Sequence, residues 1–219
     1  RHGTPAEARA EIARINEPMV TSFFYMILEE EMKPELISLF VEAGLDVNDE
    51  RGGMTLLQTA IGRNCSGDFI FTLIESGAAL ETIGDFGFSS LGMAIAMKAS
   101  YETLEVLLKA GAFIEAEQED GLTPLMLAAM SSSPDVIAML IDFGGNVSAA
   151  TKEGGVTPLF FAAGSNPNPN VTIALLEAGA DISVTDMNGA TPLMSAAESN
   201  PNPDILSVLL QAGSDIQAT

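Results

Sequence analysis

The side chains best suited to covalent or metal chemistry are few and scattered. His2 is the only histidine, and Cys65, the only cysteine, sits in Arg63-Asn-Cys-Ser-Gly-Asp68. A nucleophilic thiol needs a base to draw off its proton, and no histidine accompanies this one. One histidine excludes a histidine-based triad and a histidine-rich metal cluster; one cysteine excludes an internal disulfide and a two-cysteine redox motif. Carboxylates are plentiful, yet none follows the dense alternating spacing of a calcium loop. The glycines fall at turns, not in a phosphate-binding run. The residues predict no catalytic site, no cofactor and no metal.

Charge says more. The chain has 30 acidic residues against 9 basic ones, a formal net charge of −21. From Ala110 onward Lys152 is the only base. Such a surface repels nucleic acid and anionic membranes and draws in basic partners, chiefly by raising association rates. Acid-rich surfaces also serve solubility alone. No apolar run approaches the roughly 20 residues that span a bilayer. The chain starts at Arg1 rather than Met, so a signal peptide, a tag or the rest of a longer protein is expected upstream. The compartment stays open, with the cytoplasm favoured slightly over export.

What organises the chain is a repeat. Gly121-Leu-Thr-Pro-Leu-Met-Leu-Ala-Ala-Met130 recurs as Gly155-Val-Thr-Pro-Leu-Phe-Phe-Ala-Ala-Gly164 and Gly189-Ala-Thr-Pro-Leu-Met-Ser-Ala-Ala-Glu198. Weaker copies start at Gly53 and Gly87. The anchors Thr55, Ser89, Thr123, Thr157 and Thr191 stand 34 residues apart. A fixed period in this range marks stacked supersecondary units that share one core.

Each unit reads as a glycine turn, a short helix, a loop, and a second helix closed by glycine. Thr or Ser at the helix start accepts from an orphan amide, and Pro next to it costs no hydrogen bond. Ala128-Ala129, Ala162-Ala163 and Ala196-Ala197 let two helices approach closely. Leu107-Leu108, Leu140-Ile141, Leu175-Leu176 and Leu209-Leu210 fill the layers between units. Asn168-Pro169, Asn202-Pro203 and Ser133-Pro134 are expected to cap second helices, and the loops around them to stack into a rigid edge. Thr4-Pro5-Ala6-Glu7 opens an N-terminal helix that would cap the stack over residues 1–17. A degenerate first unit follows near Pro18, with its first helix expected over Thr21–Glu31.

Thr-Pro-Leu, Ala-Ala, the Leu-Leu pair and the closing Gly179-Ala-Asp-Ile-Ser resemble the ankyrin repeat. The resemblance covers residues 18–219. It implies a mostly α fold: a solenoid of about six helix-turn-helix units with β-hairpin-like fingers. The units run approximately 18–50, 51–84, 85–118, 119–152, 153–186 and 187–219. Two departures stand out. The period is 34 residues rather than 33, the extra residue lying in the interhelical loop except at Glu153-Gly154-Gly155. Where the family has His after Thr-Pro-Leu, this chain has Gln58, Gly92, Met126, Phe160 and Met194. The polar link from that His is therefore expected to be replaced by apolar packing.

The resemblance further implies a non-catalytic scaffold that binds a partner protein, possibly a basic one, through finger tips and a concave face. The fingers map to Asp49–Met54, Thr82–Phe88, Glu117–Leu122, Thr151–Val156 and Thr185–Ala190. The residues singled out as contacts are Phe86, Phe88, Leu122, Val156 and Met187 as apolar positions, Glu117, Glu119 and Asp120 as acids, and Lys152 as the one base. Packing of Phe86 and Phe88 on a neighbouring finger is the competing reading. Two further functions stay open: a segment of a longer structural array, with self-association through the C-terminal repeat, and an acidic inhibitor of a basic enzyme.

Overall fold

The computed structural model describes residues 17–28, 33–118 and 121–217. The expected capping helix over residues 1–17 lies outside them except for its last position. The chain divides into two compact units, Arg1–Ala112 and Phe113–Thr219, each with three helix pairs among the described residues.

In the first unit the pairs are α1 (Glu17–Ile27) with α2 (Glu35–Glu42), α3 (Leu56–Gly62) with α4 (Gly67–Glu75), and α5 (Ser90–Ala96) with α6 (Tyr101–Lys109). First helices stack on first helices and second on second, α3 against α5 and α4 against α6. Thr21, expected to open α1, lies inside it, and its hydroxyl instead accepts from the Asp46 amide at 3.4 Å. The core of this end is aromatic. Phe24 meets Phe40 edge-on at 4.9 Å and stacks on Phe69 at 6.3 Å. Such contacts add to area burial because ring edges and faces carry opposite partial charge.

A two-stranded antiparallel ribbon, β1 (Glu50–Arg51) and β2 (Met54–Thr55), forms the finger ahead of α3. Its turn is Gly52-Gly53, with φ of 58° and 76°, a conformation that a Cβ would strain. Tyr25 holds this finger to α1: its hydroxyl donates to the Asp49 carbonyl at 3.0 Å, and the Arg51 guanidinium lies 4.9 Å over its ring. Arg51 is itself fixed by Asp49 at 2.7 Å. Burial, with the Asp49 charge adding to it, pushes the Tyr25 phenol up to about 12.

In the second unit the pairs are α7 (Pro124–Ser131) with α8 (Pro134–Asp142), α9 (Pro158–Ser165) with α10 (Pro169–Glu177), and α11 (Pro192–Ser199) with α12 (Asp204–Gln211). Helix α9 packs between α7 and α11, and α10 between α8 and α12. Small residues permit this closeness. Ala128, Ala129, Ala162, Ala163 and Ala196 are buried, and a Cβ on Gly164 would come 2.5 Å from Ser195 Oγ.

The caps are mostly as the sequence reads. Thr55, Ser89, Thr123 and Thr191 each accept from the amide three residues on, closing their helix starts. Ser133 and Thr157 depart from this, holding the cap position without the side-chain bond. Thr157 Oγ1 is buried with no hydrogen-bond partner. Its turn is the one that carries the inserted residue at Glu153-Gly154-Gly155, and there Thr151 Oγ1 accepts from the Val156 amide at 3.1 Å.

The expectation of apolar replacement at the usual histidine position holds only in part. Met126 and Phe160 are buried. Gln58 is polar and wholly buried, and it makes the link that the sequence was read as lacking. Its Oε1 accepts from the Thr55 amide at 3.1 Å, and its Nε2 donates to the carbonyls of Thr82 at 3.1 Å and Phe88 at 2.7 Å. An amide carries a donor and an acceptor at the same reach, so it can cap its own helix and grip the next finger at once.

The interhelical loops of the second unit do stack, and the joint is an asparagine ladder. Asn166 Nδ2 donates to Ala129 O at 3.0 Å and Ser132 O at 3.1 Å. One repeat on, Asn200 Nδ2 donates to Ala163 O at 2.7 Å and Asn166 O at 2.9 Å. Their Oδ1 atoms accept from the amides of Asn168 and Asn202, which in turn accept from those of Asn170 and Asp204. Orphan carbonyls at the end of one first helix are thereby met by the next repeat.

Candidate interaction surface on the repeat fingers

The finger Thr82–Phe88 is short and irregular, yet it is held from several sides. Gln58 grips the carbonyls at both of its ends. The Asp85 amide donates to Gly53 O of the preceding finger at 2.8 Å, and the Gly87 amide to Gly84 O at 2.9 Å. Gly84 is required by proximity: a Cβ there would lie 2.4 Å from Gly53 O and 2.7 Å from Gln58 Oε1. Backbone fixed in this way cannot bury every side chain it carries. Ile83 and Phe86 stand 53% and 57% exposed.

Phe88 behaves differently from Phe86. It is half-buried, so the two phenylalanines do not form one exposed pair. Ile83 takes that place; sequence reasoning passed over it because a lone aliphatic residue beside a turn glycine carries no signal. Around Ile83 and Phe86 stand the exposed acids Glu50, Glu81 and Asp85. The one base on these two fingers, Arg51, is engaged by Asp49 and Tyr25.

In the second unit, Gln118–Leu122, Thr151–Val156 and Asp186–Ala190 close hairpin-like turns, the first residue's amide donating to the last one's carbonyl at 2.9, 3.0 and 2.9 Å. Leu122 and Val156 are half-buried, whereas Met187 is 73% exposed. The Met187 amide donates to Gly154 O at 2.8 Å, tying adjacent fingers together. Glu117 is exposed and ion-paired with Lys152 at 2.5 Å, which locates the base on an acid of the preceding finger. Glu119 and Asp120 lie outside the described residues. Asp186 is held below the usual carboxylate range, first by the Ala190 amide and then by those of Asn188, in spite of an opposing desolvation effect.

No chemistry gathers here. Cys65 is buried, and among the described residues no three His, Cys, Asp or Glu side chains are placed to hold a metal ion. No described helix is long and apolar enough to cross a membrane.

The comparisons agree with this architecture. A family model described as ankyrin repeats (3 copies) matches residues 91–186 and 154–219. The chain belongs to the ankyrin repeat family. Such domains typically bind protein partners and are usually non-catalytic. Among solved structures it is similar to the ankyrin repeat domain of Bcl-3, described as a unique member of the IkappaB protein family. The TM-score is 0.71 at 22% identity, covering 99% of this chain and 89% of that one. A search of curated proteins returned no match.

Proposed function

We propose that this chain is a non-catalytic scaffold that recognises a partner protein through its finger tips, with Phe86 and Ile83 as the anchor. One observation carries the reading: two large apolar side chains stand in water on a finger whose backbone is clamped by Gln58, Gly53 and Gly84. A rigid anchor loses little conformational entropy on binding, and aromatic anchors ringed by polar groups dominate interface energies. Met187, equally exposed and tied to Gly154, marks a contact on the second unit. The Glu117–Lys152 pair at that unit's fingers is exposed and tunes association rate more than affinity.

The test is affinity capture on the immobilised protein, followed by titration of the captured partner. Phe86→Ala should weaken binding by about 2 kcal/mol or more while leaving the circular dichroism spectrum and unfolding midpoint unchanged. Full affinity in Phe86→Ala would remove the finger from the binding site.

A further inference from the structure

The exposed pair on the third finger also carries information about what it binds. Ile83 and Phe86 are apolar and open to solvent, and the exposed charges around them are of one sign: Glu50, Glu81 and Asp85. Arg51, the base nearest in the finger, already has a carboxylate on one side and the Tyr25 ring on the other. A second copy of this chain would bring its own net charge of −21 to the same place. Like charge set against like at an interface costs several kcal/mol, so self-association through this finger is disfavoured. An acidic or neutral segment would leave three carboxylates partly desolvated without compensation.

We propose that the finger Glu81–Phe88 takes a short segment of a partner protein in which an aliphatic or aromatic side chain is flanked by Lys or Arg. The apolar side chain packs on Ile83 and Phe86, and the flanking cations face Glu50, Glu81 and Asp85. This rests on the finger being a binding site, and adds to that reading the chemistry of the occupant. The clamp gives it a rigid platform: the loop between Thr82 O and Phe88 O is already in place before the segment arrives, so selectivity comes from side-chain chemistry and not from refolding of the finger.

A random peptide library displayed on phage, selected on the whole protein, tests it. Enriched peptides are expected to carry an apolar residue next to Lys or Arg. They should lose binding to Phe86→Ala, weaken about tenfold on Glu50→Lys plus Glu81→Lys, and weaken about five- to tenfold between 0.05 and 0.5 M salt as the charge pairs are screened. Enriched peptides that need Phe86 but are acidic or neutral would overturn the occupant's chemistry and leave the finger site standing. Peptides that bind Phe86→Ala as well as the parent would overturn both. A library that yields no enriched sequence would overturn the proposed occupant, since an open, rigid anchor of this chemistry selects short segments.

Discussion

Gln58 does the work of two residues. It completes the cap of α3 and holds both ends of the next finger, with no exposed surface. Gln58→Ala would leave the carbonyls of Thr82 and Phe88 and the amide of Thr55 without their partner. An unmet buried polar group costs about 1–3 kcal/mol, so a total near 2–4 kcal/mol is expected, read as a lower urea midpoint. Amide exchange at Asp85 and Gly87 should quicken with it. Gln58→Glu should be no better, because its second oxygen would face two carbonyls. Tyr25 makes a pH-dependent contribution. Its folded pKa, about 12, lies above the model value of 10.0, so the folded state holds the proton more tightly. The stability this provides is whole below pH 10 and is lost as pH rises through 12. Tyr25→Phe should therefore lose less melting temperature than the parent between pH 9 and pH 11.5, and equal losses would count against this account. Neither residue's role was legible in the sequence. Gln58 was read as one more departure toward apolar packing, because a list of residues at one repeat position does not show that a single amide reaches the carbonyls of Thr82 and Phe88.

At the scale of elements the sequence spoke plainly. Thr-Pro at each helix start, paired alanines and closing glycines are local requirements, and each appears at its expected place in the described repeats. Where the structure parted from that reading, a local rule was overridden by its surroundings. Thr157 has the right type and position to cap α9, but the turn before it is one residue longer and its hydroxyl stays unmet. Thr21 was read as a helix start because it keeps the phase of later anchors, yet α1 begins before it. The stacked Asn-Pro loops were anticipated as an edge; what their spacing did not disclose is which asparagine bonds across. Asn166 and Asn200 bridge repeats, whereas Asn168 caps its own helix. Asn166→Ala should accordingly cost about 2–4 kcal/mol, since two carbonyls of the preceding repeat and one amide of its own loop lose their partner. Asn170→Ala, at an exposed position, should change stability by less than about 0.5 kcal/mol. Calorimetric midpoints of the two variants make the comparison directly.

For the whole molecule, composition and fold lead to the same class and leave the partner to the surface. The net charge of −21 was legible at once, and so was the absence of a histidine-based centre. The exposure of Phe86 was not, because packing on a neighbouring finger satisfied the same sequence; it is decided by the hydrogen bonds that fix Thr82–Phe88. The asparagine ladder has a last consequence, for editing the chain. Asn200 reaches back 37 and 34 residues, to Ala163 and Asn166, and Asn166 reaches back by the same intervals, to Ala129 and Ser132. Excising Pro158–Thr191, a span of one period, sets Asn200 over Ala129 and Ser132 while keeping a Thr-Pro junction at the cut. The shortened protein should fold cooperatively with helical circular dichroism, whereas removing half a period should not. The ladder makes the repeat a unit of splicing as well as of structure, with register checked by two bonds at every seam.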